Sequence, residues 1–206
     1  MLTANMQLPM SIHLLDLFGT AVFALTGALR ALTKQLDLMG AVVLAIVTAL
    51  GGGMMRDALL GRHPPAAFVD EVYLLIAIFT GIAAFFWGRQ IREQESWLII
   101  FDAIGLGVFT LVGAWIADQA GLGVTGIIFI AMLTATGGGV LRAMLVAEIP
   151  FMLKKEIYAS ASLIGAASFL LFDYLNFSIG LIIWAVVLIT IGIRLISWRY
   201  NYNLPK

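Results

Sequence analysis

Long apolar segments alternate with short polar connections along the whole chain. Most of them contain about the 20 residues that an α-helix needs to cross the hydrocarbon core of a bilayer. Seven such segments are predicted: Leu14–Leu29, Leu38–Leu60, Val72–Gly88, Trp97–Ala117, Val124–Val146, Ile157–Phe172 and Phe177–Ile193. The pattern therefore predicts an all-α membrane protein with seven transmembrane helices.

The first six segments repeat as two groups of three. Gly51–Gly53 and Gly137–Gly139 are glycine triplets in the second and fifth segments, and 86 positions separate them. The same offset relates a series of identical pairs: Asp16 and Asp102, Gly19 and Gly105, Phe23 and Phe109, Leu25 and Leu111, Gly27 and Gly113, Gly40 and Gly126, Thr48 and Thr134, Arg56 and Arg142, Pro64 and Pro150. With a one-residue deletion, Glu71-Val72-Tyr73 matches Glu156-Ile157-Tyr158. Self-similarity at a fixed period indicates an internal duplication.

Each repeat contains three predicted helices, so the second copy enters the membrane from the opposite side. The two halves are then related by a pseudo-two-fold axis in the membrane plane, as in many transporter folds. We predict a first three-helix repeat over residues 1–95 and a second, inverted repeat over residues 96–175. A seventh helix and a cytoplasmic tail follow over residues 176–206, within one integral membrane domain. The alternative is a duplication kept only for packing.

The composition supports a membrane protein and excludes several functions. Apolar residues make up 62% of the chain and charged residues 12%, which is about half the charged content of soluble domains. The formal net charge of zero argues against a nucleic-acid partner. No cysteine is present, which excludes disulfides. Met1–Ser11 has no positively charged region, so we expect no cleaved signal peptide. Function is therefore expected within or between the helices, in a lipid bilayer.

The distribution of Lys and Arg predicts the orientation. With seven crossings, only Arg56 and Arg62 lie on the side of the N-terminus. The other ten lie on the opposite side: Arg30, Lys34, Arg89, Arg92, Arg142, Lys154, Lys155, Arg194, Arg199 and Lys206. Positive charges concentrate in cytoplasmic connections. We therefore predict a multi-pass protein of the plasma (inner) membrane with its N-terminus outside and its C-terminus in the cytoplasm.

The glycine triplets predict an interruption of the second and fifth helices. Three consecutive glycines cost about 1 kcal/mol each relative to alanine in a helix. Apolar residues continue beyond both triplets, and irregular backbone at such depth survives where it lines a cavity. Freed carbonyls could then hold a transient monovalent cation at Gly51–Gly53 and Gly137–Gly139. Thr48 and Thr134 precede the triplets and could line the same pathway. A helix cap, tight packing and hydroxyls bonded to their own helix are the alternatives.

Four charged residues occur as matched pairs near the ends of these segments. Arg56 and Arg142 follow the triplets by three residues, and an arginine at that depth normally faces a cavity or a partner. Asp16 and Asp102 could attract cations at the two mouths or pair with these arginines. The alternatives are arginines that extend to the interface and acids placed at helix N-termini. Asp57 has Ala143 as its counterpart, so the halves differ in charge.

Catalysis finds little support in the chain. His13 and His63 have no counterparts in the other repeat, and no HExxH, phosphate-loop or nucleophile-elbow motif occurs. We therefore predict that the protein is not an enzyme and needs no cofactor. Aromatic residues near the segment ends are interpreted as interfacial anchors: Trp87, Trp97, Tyr158, Trp198, Tyr200 and Tyr202.

The paired glycine triplets within two three-helix repeats resemble the trimeric intracellular cation (TRIC) channels. The segment GGGMMRDALLGRHPP at residues 51–65 is similar to the bacterial branch, whose members are often labelled glycine-transporter-domain proteins. The resemblance covers nearly the whole chain. It implies a homotrimer with one pore per subunit that conducts potassium or sodium, chiefly potassium. The kinked second and fifth helices of the family correspond to Gly51–Gly53 and Gly137–Gly139.

Two functions fit the repeats and the triplets. A channel needs a continuous polar path without a tight site. A carrier for glycine or a similar small solute needs an occluded site, which a half-helix N-terminus after each break could supply.

Overall fold

The computed structural model describes residues 8–88, 95–154 and 157–200. Within these ranges the chain forms nine α-helices and no strand. They are α1 (Met10–Thr33), α2 (Leu38–Leu59), α3 (Ala66–Val69), α4 (Glu71–Trp87), α5 (Glu95–Gln119), α6 (Val124–Leu145), α7 (Phe151–Lys154), α8 (Ala159–Tyr174) and α9 (Ile179–Tyr200). The all-α prediction is confirmed.

The seven long helices occupy the seven predicted segments. Five of them, α1, α2, α5, α6 and α9, are long and apolar enough to cross a membrane. The helices α4 and α8 are apolar but shorter, with 17 and 16 residues. The main differences lie at the ends, because α1 begins before Leu14 and α9 continues past Ile193. Some residues used to predict the orientation and the interfacial anchors lie outside the described ranges: Arg89, Arg92, Lys155, Tyr202 and Lys206.

Equivalent helices end in the same way in the two halves. Gln35 and Gly121, which are 86 positions apart, both have positive φ just after α1 and α5. Gly61 and Ala147, which are also 86 positions apart, likewise have positive φ just after α2 and α6. Beyond each of these four residues, the next backbone N–H bonds to a carbonyl five residues earlier, as in a Schellman motif. The duplication therefore extends to the backbone geometry of the turns.

The helices pack in the same arrangement within each half. In the first half α1, α2 and α4 contact one another, and in the second half α5, α6 and α8 do so. The halves meet where α1 packs on α5 and where α2 packs on α6. The helix α9 has no counterpart in the first half and packs against α5 and α8.

Equivalent helices of the two halves cross in antiparallel directions. A Cβ at Gly19 would lie 2.8 Å from Val108 and 3.3 Å from Phe109, whereas a Cβ at Gly105 would overlap Phe23. The rings of Phe23 and Phe109 meet edge to face, with their centroids 5.0 Å apart. Position 19 thus faces 109 and position 23 faces 105, so the order of contacts is reversed along the two helices. Reciprocal contacts of this kind are those that a two-fold axis produces.

The same reversed order joins the two glycine triplets. A Cβ at Gly52 would overlap the carbonyl oxygen of Thr134, and one at Gly138 would overlap the carbonyl oxygen of Thr48. Both helices continue through their triplets, and none of the six glycines has positive φ. The prediction that GGG breaks these helices is therefore wrong. The absent side chains instead let the backbones of α2 and α6 approach closely, which is the usual role of small residues between membrane helices.

Candidate functional site: two buried charged clusters

The first cluster consists of Asp16, Arg56, Asp57 and Tyr73, which lie on α1, α2 and α4. All four side chains are buried, although they belong to highly apolar helices. The Tyr73 hydroxyl donates to Asp16 Oδ2 over 2.7 Å, and Arg56 Nε donates to Asp57 Oδ1 over 2.9 Å. The second carboxylate oxygen of Asp57 accepts the N–H of Ala66 at 2.9 Å. Both oxygens of Asp57 and one oxygen of Asp16 thus accept hydrogen bonds.

Two half-exposed side chains connect the first cluster to the surface. The Nδ1 atom of His13 lies 3.4 Å from the hydroxyl of Tyr73, and its Nε2 atom lies 3.7 Å from Asp70 Oδ2. Asp70 also caps the N-terminus of α4 by accepting the N–H of Val72. The first cluster therefore lies only a few side chains below one end of the helix bundle.

The second cluster consists of Asp102, Arg142, Tyr158 and Arg194, near the opposite end of the bundle. Arg142 Nη2 donates to Asp102 Oδ1 over 3.0 Å, which forms a fully buried ion pair. Arg142 Nη1 also donates to Thr26 Oγ1 at 2.8 Å. This hydrogen bond connects the second cluster to α1 of the first half. Tyr158 lies beside Asp102 and interacts with it, as Tyr73 does with Asp16. The two clusters thus share an Asp–Tyr–Arg arrangement.

Arg194 distinguishes the second cluster from the first. It comes from α9, which lies outside the repeats, and only 1% of its surface is exposed. Its guanidinium carbon lies 4.9 Å from the centroid of the Tyr158 ring, within the range of a cation–π interaction. Within the described residues it forms no ion pair, and its Nε and Nη2 atoms have no hydrogen-bond partner. It is therefore a buried cation that no carboxylate of the described residues neutralises directly.

The matched acids and arginines predicted from the sequence are brought together in two different ways. Asp102 pairs with Arg142, as one of the predicted alternatives states. Asp16 instead bonds to Tyr73, and Arg56 pairs with Asp57, which has no counterpart in the second half. Both arginines are buried, so the alternative in which they extend to the interface is wrong. Asp16 and Asp102 lie beyond the first turns of α1 and α5, so they are not N-terminal acids either.

Thr48 and Thr134 pack between helices instead of presenting their hydroxyls to a cavity. Each Oγ1 donates to the carbonyl four residues earlier, Leu44 and Ile130 respectively. A Cβ at Gly27 would lie 2.7 Å from the Thr48 hydroxyl, and one at Gly113 would lie 2.8 Å from that of Thr134. Helical carbonyls at the triplets bond within the helix, so the predicted cation sites at Gly51–Gly53 and Gly137–Gly139 lack the freed carbonyls on which they depended.

The sequence interpretation missed three members of the clusters. The sequence predicts Tyr158 as an interfacial anchor, but the residue is 2% exposed, so this prediction is wrong. Its alignment with Tyr73, each downstream of a matched Asp, was the signal that could have identified both tyrosines. For Arg194, the sequence predicts only a cytoplasmic charge beyond the last segment. No local pattern marks its burial, because its partner Tyr158 is the N-cap residue of another helix, α8.

A separate ion-pair group joins the C-terminal ends of α1 and α6. Glu148 accepts hydrogen bonds from Arg30 Nε and Lys34 Nζ, both at 2.8 Å, and contacts Arg30 Nη2 as well. Partial burial alone would raise the pKa of the Glu148 carboxyl, but the hydrogen bonds from Lys34 and Arg30 outweigh it and hold the pKa below its usual range. Glu148 therefore stays ionised at neutral pH and fixes these two helix ends on the same side of the bundle.

A bundle of long apolar helices with buried charged clusters defines a multi-pass membrane protein whose polar groups lie inside the bundle. A family model described as "Glycine transporter" matches the chain twice, over residues 13–89 and 99–174. The UPF0126 inner membrane protein YadS of Escherichia coli is 36% identical over 199 residues, which cover 95% of this chain and 96% of that protein.

Solved structures share the whole fold. The TRIC trimeric intracellular cation channel orthologue from Rhodobacter sphaeroides has a TM-score of 0.90 and 35% identity, covering 94% of this chain and 100% of that chain. A prokaryotic TRIC channel crystallised in 0.5 M KCl has a TM-score of 0.86 and 34% identity, covering 95% of this chain and 99% of that chain. The chain therefore belongs to the TRIC family. The relatives compared are channels and membrane proteins rather than enzymes.

Proposed function

We propose that the protein is a channel for monovalent cations, chiefly potassium, with one pore in each subunit of a homotrimer in the bacterial plasma membrane. The observation that carries this proposal is the similarity over nearly the whole chain to TRIC structures, including a trimeric cation channel orthologue. The relative from Escherichia coli is described as an inner membrane protein, which supports the location. Buried ionisable groups in membrane helices typically mark ion pathways.

The pathway in this proposal runs between the two clusters and past the crossing of α2 and α6. The third glycine of each triplet faces an arginine: a Cβ at Gly53 would lie 3.7 Å from Arg56 Nη2, and one at Gly139 would lie 3.9 Å from Arg142 Nη2. A crevice beside Tyr158 and Gly139 leaves no room for a water molecule. Conduction past this crevice therefore requires the groups that line it to move apart. Asp16 and Asp102 would line the two ends of this pathway.

We further propose that α4 and α8 also cross the membrane, which gives seven crossings and two inverted repeats. The antiparallel contacts of α1 with α5 and of α2 with α6 support this topology. The two separate matches to the family model support repeats over residues 1–95 and 96–175, followed by α9 and the tail over 176–206. The excess of Lys and Arg on one side supports an N-terminus outside.

The carrier alternative for glycine loses its structural basis. It required half-helix N-termini at the triplets to hold a solute carboxylate. Because α2 and α6 are continuous there, their backbone N–H groups are used within the helices.

Purified protein in a planar bilayer tests the channel. The oligomer is first measured in detergent by mass, which we expect to equal three chains after correction for detergent. In a potassium gradient we expect unitary currents whose reversal potential lies near the equilibrium potential of potassium. Saturable glycine uptake without unitary currents would instead identify a carrier.

Accessibility labelling tests the topology. A single cysteine introduced before α1 should react with a membrane-impermeant maleimide in intact spheroplasts, and one introduced after α9 should react only after lysis. The chain contains no native cysteine, so the labelling is specific. Equal labelling of both positions in intact spheroplasts would mean that both termini lie on the same side of the membrane. This result would contradict the inverted topology.

A further inference from the structure

The two clusters differ in formal charge. The first contains the carboxylates of Asp16 and Asp57 and the guanidinium of Arg56, and the partly exposed Arg62 lies beside it with its Nη1 atom 3.8 Å from Asp57 Oδ1. Among the described residues, the second contains one carboxylate, that of Asp102, and two guanidinium groups, those of Arg142 and Arg194. Two differences make the second cluster more positive than the first: Ala143 stands where the first half has Asp57, and α9 adds Arg194.

Arg194 lies close enough to the other members of the second cluster for its charge to act on them. Its guanidinium stacks on Tyr158, which in turn interacts with Asp102. Arg56 and Arg142 each have a carboxylate partner, whereas Arg194 has none within the described residues. A buried cation without a counter-ion is costly and is usually retained for a function. Packing alone would be served by an apolar side chain, because the partner is the face of an aromatic ring.

We infer that Arg194 is a conductance-determining residue, a fixed positive charge that makes the pore rectify. This inference rests on the proposed channel function. A positive charge raises the electrostatic barrier to cations at its own end of a pore. Cations are therefore depleted at the second cluster relative to the first. Current carried from the first cluster towards the second should exceed the reverse current, which in the proposed topology means that inward current is larger.

The expected size of the effect follows from Coulomb's law. One unit charge about 10 Å from the path, at effective dielectric constants of ~20–80, changes the occupancy by a cation about two- to sixteenfold. Arg194→Gln should therefore increase the smaller of the two unitary currents by about that factor in symmetric KCl of low concentration. The ratio of currents at opposite voltages should fall towards one.

Two variants of α9 serve as controls for this measurement. Arg194→Lys retains the charge at the buried position and should keep the rectification. Arg199→Gln removes the same charge from an exposed position in the last turn of the same helix and should leave the current ratio unchanged. Equal ratios for Arg194→Gln and the parent would overturn the inference, as would an equal effect of Arg199→Gln. A parent protein without any cation current would instead contradict the proposed function.

A further variant, Ala143→Asp, keeps the inference testable even where Arg194→Gln does not fold. Ala143→Asp adds to the second cluster the carboxylate that Asp57 supplies to the first, and it leaves Arg194 in place. The first half accommodates this side chain at the equivalent buried position. Ala143→Asp should reduce rectification in the same direction as Arg194→Gln. A trimer of Ala143→Asp with the current ratio of the parent would count against the inference.

Discussion

Gly52→Ala and Gly138→Ala are each expected to lower the melting temperature of the purified protein by about 10 °C. A methyl group at either position overlaps a backbone carbonyl oxygen of the facing helix, Thr134 or Thr48. A backbone carbonyl is not free to rotate away as a flexible side chain would, so α2 and α6 must separate. Overpacking of this kind costs up to about 3 kcal/mol, and 1 kcal/mol corresponds to about 2–4 °C for a chain of this size.

Gly53→Ala is the matched control within the same triplet. A Cβ there lies 3.7 Å from Arg56 Nη2, which is ordinary van der Waals contact. Because alanine favours a helix over glycine by about 1 kcal/mol, this variant should melt at or above the temperature of the parent. The measurement is thermal unfolding in detergent, followed by the loss of trimer. If Gly52→Ala and Gly53→Ala melted alike, the close approach of α2 and α6 would not be the reason for the triplets.

The helices and their duplication could be predicted because both depend on signals within the chain. Apolar segment length predicts a membrane helix, and the 86-residue offset relates residues that serve the same role in each half. The matched turns at Gln35 and Gly121 illustrate this. They adopt the same backbone conformation although only one of them is glycine, because the surrounding repeat imposes the turn.

The glycine triplets were misinterpreted because helix propensity describes an isolated helix. Three glycines weaken a helix in isolation, which predicts a break. In this protein the contact that compensates for the weakness comes from the equivalent triplet of the other half, where Gly52 and Gly138 lie close together. The sequence shows that both triplets exist, but it does not show that they face each other.

The composition of the second cluster could not be predicted for a related reason. Arg194 ends the apolar run of the last segment, so its charge marked the end of the predicted helix. In the structure α9 continues to Tyr200, and the charge is buried against Tyr158. Burial at that point depends on how α9 packs beside α8, which no spacing within α9 specifies.

Loss of the buried ion pair in the second cluster is the other change that we expect to lower the melting temperature strongly. Asp102→Asn removes the carboxylate that pairs with Arg142, and the nearby Arg194 supplies a second positive charge. Removing one partner of a buried pair costs about 3–5 kcal/mol, because the remaining charge is left uncompensated. We expect the melting temperature to fall by about 10–15 °C, since 1 kcal/mol corresponds to about 2–4 °C.

The duplication provides the control for this prediction. Asp16→Asn is the equivalent change in the first cluster, but Arg56 there keeps Asp57 as its ion-pair partner. Asp16→Asn should therefore destabilise the protein clearly less than Asp102→Asn. Adding Ala143→Asp to Asp102→Asn supplies Arg142 with a carboxylate placed as Asp57 is placed beside Arg56, and should recover much of the lost stability. Thermal unfolding of the three variants in one detergent distinguishes the outcomes. Equal destabilisation by Asp16→Asn and Asp102→Asn, without recovery in the double variant, would show that hydrogen bonding to the tyrosines dominates over the ion pair.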